Sequence, residues 1–167
     1  MKKLVLILLG CLLLGGCSRK TEAAVEYVSD EAALQGVYTI SFDIPEGVEE
    51  TALGTSGTLY SDPDGNYTIA AEQIAAKTLE EAVETISGFP YDTLDVIALN
   101  GGEFGSYQFA WASAGEEGDS VSACKLYAGD GGYYALTMTQ RAGLGTRYAS
   151  VAEAAFSSFT LHGEEII

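Results

Sequence analysis

Groups that carry out chemistry are scarce in this sequence. Its 167 residues hold one histidine, three cysteines, one tryptophan and three prolines, and only eight basic residues against 24 acidic ones. A zinc site built from one His and a thiol would need carboxylates for its remaining ligands, an uncommon set. A Ser-His-Asp arrangement would have to recruit His162, close to a terminus. The formal charge of −16 opposes electrostatic binding to nucleic acid or to an anionic membrane, and leaves cationic partners open. No run approaches the ~20 apolar residues that cross a bilayer as a helix. Chains of about 150 residues bury roughly 70% of their unfolded surface, so one core is feasible without metals or disulfides.

The N-terminus reads as an export signal. Lys2 and Lys3 precede an apolar stretch over residues 4–14, broken only by Gly10 and Cys11, and Gly15 and Gly16 stand before Cys17. The tetrapeptide Leu14-Gly15-Gly16-Cys17 resembles a bacterial lipobox, in which small residues admit the peptidase and the Cys thiol receives a diacylglyceryl group. The expected organisation is a lipoprotein signal peptide over residues 1–16, a lipidated Cys17 with a tether through residue 36, and one globular domain over residues 37–167. Two or more acyl chains, at ~0.8 kcal/mol per buried CH₂, anchor stably where one is marginal. Residues 18–29 lack periodicity and reach roughly 20 Å as a flexible chain. Residues 30–35 read as a short helical turn ended by Gly36.

Processing changes the cysteine and charge arithmetic. Cys11 leaves with the signal and Cys17 is lipidated, so Cys124 remains as a lone thiol with no internal disulfide partner. It stands in an alternating run, residues 120–128, and reads as a small buried hydrophobe; a nucleophile would need His162 beside it. Loss of Lys2 and Lys3 leaves six basic residues against 24 acidic, near −18.

The body reads as strands punctuated by two helices. Tyr38, Ile40, Phe42 and Ile44 alternate with polar residues over 37–44, until Pro45. Residues 57–61 and 66–71 flank a turn at Asp62-Pro63-Asp64-Gly65. Asp62, Asp64 and Asn66 invite comparison with a calcium loop, but the remaining EF-hand positions are out of register. Thr78 and Glu81 form a capping box for a helix over 78–87, stopped by Gly88 and Pro90, with Glu80, Glu81 and Glu84 on a solvated face. Residues 94–99 suggest a strand. Then 106–113, 120–128 and 133–140 form a meander, with Tyr107, Phe109 and Trp111 on one face and Gln108, Ala110 and Ala112 on the other. The glycines at 129–132 join strands, with no following helix, and so are no phosphate cradle. Tyr148, Val151, Ala152, Ala155, Phe156 and Phe159 recur at helical spacing, and residues 160–162 return as a short edge segment.

This order of elements, with the opening YTISFDIPEG of residues 38–47, the aromatic strands at Leu126-Tyr127 and Gly132-Tyr133-Tyr134, and the closing FSSFTL of residues 156–161, resembles PsbP-like domains. That group includes an extrinsic photosystem protein, a Ran-binding nuclear import factor and small bacterial lipoproteins. The likeness covers residues 37–161. It implies an α+β fold, an antiparallel sheet with helices packed against it in an α/β/α sandwich, and a non-enzymatic module that binds another protein. It transfers no functional residues.

The expected function is therefore a membrane-anchored, non-catalytic binding or accessory module on the outer face of a bacterial cytoplasmic membrane, or the periplasmic side where there are two membranes. Its partners are the membrane, through Cys17, and a protein; no catalytic residue, cofactor, metal ligand or nucleic-acid contact is assigned. A binder of cations or small solutes is the alternative, through Asp62, Asp64, Glu116, Glu117 and Asp119. Tyr60, Tyr67, Tyr107, Tyr127, Tyr133 and Tyr134 offer a sugar or peptide groove if they share a surface, and are otherwise strand formers with packed rings.

Overall fold

A computed structural model describes residues 38–100, 102–115 and 118–163. The signal peptide, Cys17, the tether, the turn expected at 30–35, Val37, Gly101, Glu116 and Glu117 lie outside the described residues.

The main sheet is antiparallel and seven-stranded, and burial alternates along two of its long strands. In chain order its strands are β2 (Glu49–Leu53), β3 (Gly57–Ser61), β4 (Tyr67–Ile74), β5 (Ile97–Leu99), β6 (Gly105–Ser113), β7 (Ser120–Gly129) and β8 (Gly132–Arg141). The spatial order is β2-β3-β4-β8-β7-β6-β5. The hairpin and the three-strand meander expected from sequence are both present, and β8 inserts beside β4 to join them.

Register sends successive side chains of β8 to opposite faces, and each face has its own core. Tyr133 and Ala135 pack with Ile74, Phe109, Cys124 and Leu126 beneath α1 (Leu79–Ser87), which contributes Ala82 and Val83. Leu136 and Met138 face the other way, with Tyr67, Ile69 and Ala71, beneath α2 (Ala149–Ser158), which contributes Ala155. One helix on each face gives the α+β, α/β/α layering that the apolar stripes of both helices require.

Four local expectations are corrected. The first strand is β1 (Tyr38–Ser41), shorter than residues 37–44, and it pairs with β9 (Thr160–Gly163) in a separate two-stranded ribbon. Ile40 and Leu161 pack the ribbon onto the α2-side core, so its alternation serves that face without joining the main sheet. β2 was not expected: its EETAL sequence is exposed on almost every residue and has no apolar alternation to read. The strand expected over 94–99 begins only at Ile97, because a 3₁₀ turn occupies Tyr91–Thr93 just before it; Leu94 and Val96 still pack on the α1 side, as alternation requires. Finally, Thr78 Oγ1 does accept from the Glu81 backbone N–H at 3.2 Å, but the Glu81 carboxylate accepts from Lys77 N at 2.8 Å. The capping box thus closes one residue earlier than read.

α1 ends at Gly88, whose φ of 74° lets its N–H reach the Glu84 carbonyl. α2 ends differently. Lys125 of β7 donates from Nζ to the Phe156 carbonyl at 2.7 Å and lies over the rings of Tyr127 and Phe159, satisfying a helix-end carbonyl with positive charge.

Candidate functional site

The surface best suited to contact another molecule lies on the α2 side, where β5, β6 and β7 extend beyond the helix. Antiparallel register sets Ala110 opposite Ala123, Ala112 opposite Val121, and Ile97 opposite Gln108. Small side chains at 110 and 112 build a low shelf, and both are exposed. Ile97 is 61% exposed and Val121 42%, among the few large apolar side chains that remain open. Between the shelf and the first turns of α2 lies a groove of ≈ 190 Å³, lined by Ala110, Val121, Ala123, Met138, Tyr148 and Ala152 among others. Tyr148 is fixed from two sides, with its ring 4.9 Å from that of Tyr67 and the Arg147 guanidinium over it at 5.6 Å.

The shelf adjoins an open sheet edge. β6 runs from Gly105 to Ser113, whereas β5 pairs only with Ser106, Tyr107 and Gln108. Residues 109–113 have β7 on their inner side and no strand on their outer side among the described residues.

A second, polar groove of ≈ 750 Å³ runs along the strand ends, with Asn66, Thr68, Asp119, Ser120, Thr139 and Arg141 in its wall. It lies among the acidic turns suggested as cation ligands. Asp62, however, uses its carboxylate internally, accepting from the backbone N–H of Asn66 at 3.0 Å and from Asn66 Nδ2 at 2.9 Å. Asp64 and Asp119 are exposed, and the Asp119 carbonyl accepts from Ala142 N at 2.8 Å. Among the described residues no three His, Cys, Asp or Glu side chains converge as metal ligands.

The tyrosines do not form one groove. Tyr107 and Tyr133 belong to the α1-side core, while Tyr60, Tyr67 and Tyr127 pack on the α2 side. Tyr134 is 1% exposed, donates to the Asp130 carbonyl at 3.3 Å and meets Tyr38 edge-on at 5.5 Å. Tyr127 donates to the Phe159 carbonyl at 3.0 Å. Burial pushes the hydroxyl pKa of Tyr38, Tyr60, Tyr67 and Tyr134 upward. The rings of Tyr67 and Tyr134 are buried and that of Tyr60 packs against the α2-side core, as strand formers do.

Cys124 and His162 are also kept apart. Cys124 is buried beneath α1, and desolvation raises its thiol pKa to about 12, so the thiolate is scarce at neutral pH. His162 is exposed on the ribbon of the opposite side, hydrogen-bonded to Thr160 Oγ1 at 3.2 Å. Of the helix acids, Glu81 holds Lys77 N, and Glu84 accepts from Tyr91 N at 3.1 Å. Ile97 and Tyr148 are the surface residues that sequence reasoning missed. Ile97 has no local signal, because a strand's place at a sheet edge is not written in its own residues.

No family model matches the chain, and no curated protein matches it in sequence. Solved structures do match in fold. LpqN of Mycobacterium tuberculosis, described as involved in cell envelope biogenesis, superposes with a TM-score of 0.51 at 18% identity, over 75% of this chain and 84% of that one. The cyanobacterial PsbP of Synechocystis superposes with a TM-score of 0.51 at 15% identity, over 89% of this chain and 99% of that one. The fold is PsbP-like.

Proposed function

We propose that this chain is a lipid-anchored, non-catalytic binding or accessory module, held at the outer face of a bacterial membrane through Cys17 and engaging a protein partner through the shelf on β5, β6 and β7. The observation that carries the reading is the exposure of Ile97, Ala110, Ala112 and Val121 around a stretch of β6 that has no outer strand among the described residues. The lipobox-like Leu14-Gly15-Gly16-Cys17 supports the anchor. The cell-envelope description of LpqN is compatible with that address. Among the described residues no helix is long and apolar enough to cross a membrane, so attachment in this reading rests on the acyl chains.

Two experiments test it. Mass spectrometry of the membrane-extracted protein is expected to find a diacylglyceryl thioether on Cys17, and Cys17→Ser is expected to release the protein from membranes; an unmodified N-terminus would refute the anchor. Photo-cross-linking from Ala110 in intact cells is expected to recover the same protein repeatedly. No enrichment over a tether-only control would refute the partner.

A second reading, a binder of cations or small solutes, is favoured by the polar groove beside Asp119 and Arg141. Titration calorimetry with calcium, magnesium, zinc and cell-wall fragments distinguishes it: heat that depends on Asp119 supports this reading, and no heat removes it.

A further inference from the structure

Resting on the protein-binding reading, we propose that the open edge of β6 is a strand-addition site, which takes an extended, cationic segment of the partner as an added strand beside residues 109–113.

An outer β-strand presents unpaired backbone N–H and C=O groups, and folded proteins blunt such edges with charges, prolines, bulges or a covering segment. The sheet has two outer edges, and they differ. β2 carries Glu49 and Glu50 on an exposed strand, the usual protection against pairing. β6, with sequence GSYQFAWAS, has no charge and no proline. Its neighbour β5 stops at its pairing with Gln108, shortly after the 3₁₀ turn at Tyr91–Thr93. Among the described residues, 109–113 therefore have no strand on their outer side, and nothing in their own sequence defends that backbone.

Both faces of this edge suit an added strand. Phe109 and Trp111 stack at 5.5 Å on the α1 side, while Ala110 and Ala112 leave a low floor on the other. On the α2 side the incoming side chains would rest on the alanine shelf and on the other they would meet the half-buried Trp111, Phe109 being covered in the core, so pairing supplies affinity and the shelf supplies selectivity. Charge selects a cationic segment. The protein carries −16 overall, and Asp92 and Asp95 are exposed just before β5.

The test uses the full chain and a peptide of about nine residues alternating Lys and Val, long enough to span the open edge. Peptides N-methylated at alternate positions, in each register, remove backbone donors while retaining charge; a Glu/Val peptide reverses the charge. Hydrogen exchange should show slowed amides within residues 109–113 on adding the Lys/Val peptide. Affinity should fall about tenfold or more on N-methylation in one register, and by a similar factor for the Glu/Val peptide. Ile97→Lys, at an exposed position, should weaken Lys/Val binding with the melting temperature unchanged. Protection at residues 49–53 instead, equal binding of all N-methylated peptides, or no binding would overturn the proposal. If a cellular partner still cross-links from Ala110 in that event, the protein-binding reading survives and only strand addition fails. If nothing cross-links, the reading itself fails.

Discussion

Single residues show how much of this surface chemistry is structural. Cys124 alternates with half-buried neighbours, Ala123 and Lys125, and that period locates it in the core; the shift of its thiol to about 12 follows from burial. An unfolded thiol ionises near 9, so the contribution of the protonated thiol is fully present below that pH and is lost between 9 and about 12. Stability should fall by about 1 kcal/mol per pH unit in that window, on top of losses from the raised tyrosines, and Cys124→Ala should flatten the early part of the fall. Denaturant titrations at pH 8 and 10 measure it. In the native state the thiol should also resist iodoacetamide until the protein unfolds. Glu72 was not legible as special. Register alone sets it opposite Ala135, half-buried, where desolvation raises its carboxyl above the ordinary 4.5. Its ionised form opposes folding, so Glu72→Gln should raise the melting temperature at neutral pH, and the gain should vanish as pH falls below the ordinary carboxylate range. Gly132 has no room for substitution: its φ is 139° and an added Cβ would sit 2.6 Å from the Ile74 carbonyl oxygen. Gly132→Ala should cost about 1–3 kcal/mol in chemical denaturation.

Elements with a buried stripe were readable, and elements without one were not. Both helices announce themselves through apolar spacing, and the cap at Thr78 and stop at Gly88 add local signals that the structure uses. β4, β7 and β8 were readable because one or both faces are buried. β2 escaped because it borrows its order from β3, to which it pairs along its whole length. The ribbon of β1 and β9 joins two segments far apart in sequence, a pairing that no local pattern encodes. The end of α2 depends on Lys125, which sequence reading passes over as a charged residue on a strand. Lys125→Met keeps most of the apolar stem and removes the bond to Phe156 and the charge over two rings. It should destabilise the fold by about 1–3 kcal/mol, with faster hydrogen exchange concentrated at the end of α2.

At the scale of the molecule, position in the sheet decides what each surface can do. The interior strands β4, β8 and β7 spend both faces on two cores, each under its own helix. Toward β6 and β5 the α2-side face carries the exposed side chains of Ala110, Ala112, Val121 and Ile97. The α+β class and the layering were legible in the sequence. The candidate site was half legible: the alternation that puts Ala110 and Ala112 on one face was readable, but the open edge follows from where β5 stops pairing, which no residue of β6 encodes. The net charge of −16 then biases what approaches that edge toward cationic chains. The most direct measurement is photo-cross-linking in intact cells from Ala110, with Thr51 on the opposite edge strand as the comparison site. The account predicts one recurrent partner from Ala110 and none from Thr51; equal recovery from both, or none from either, would contradict it.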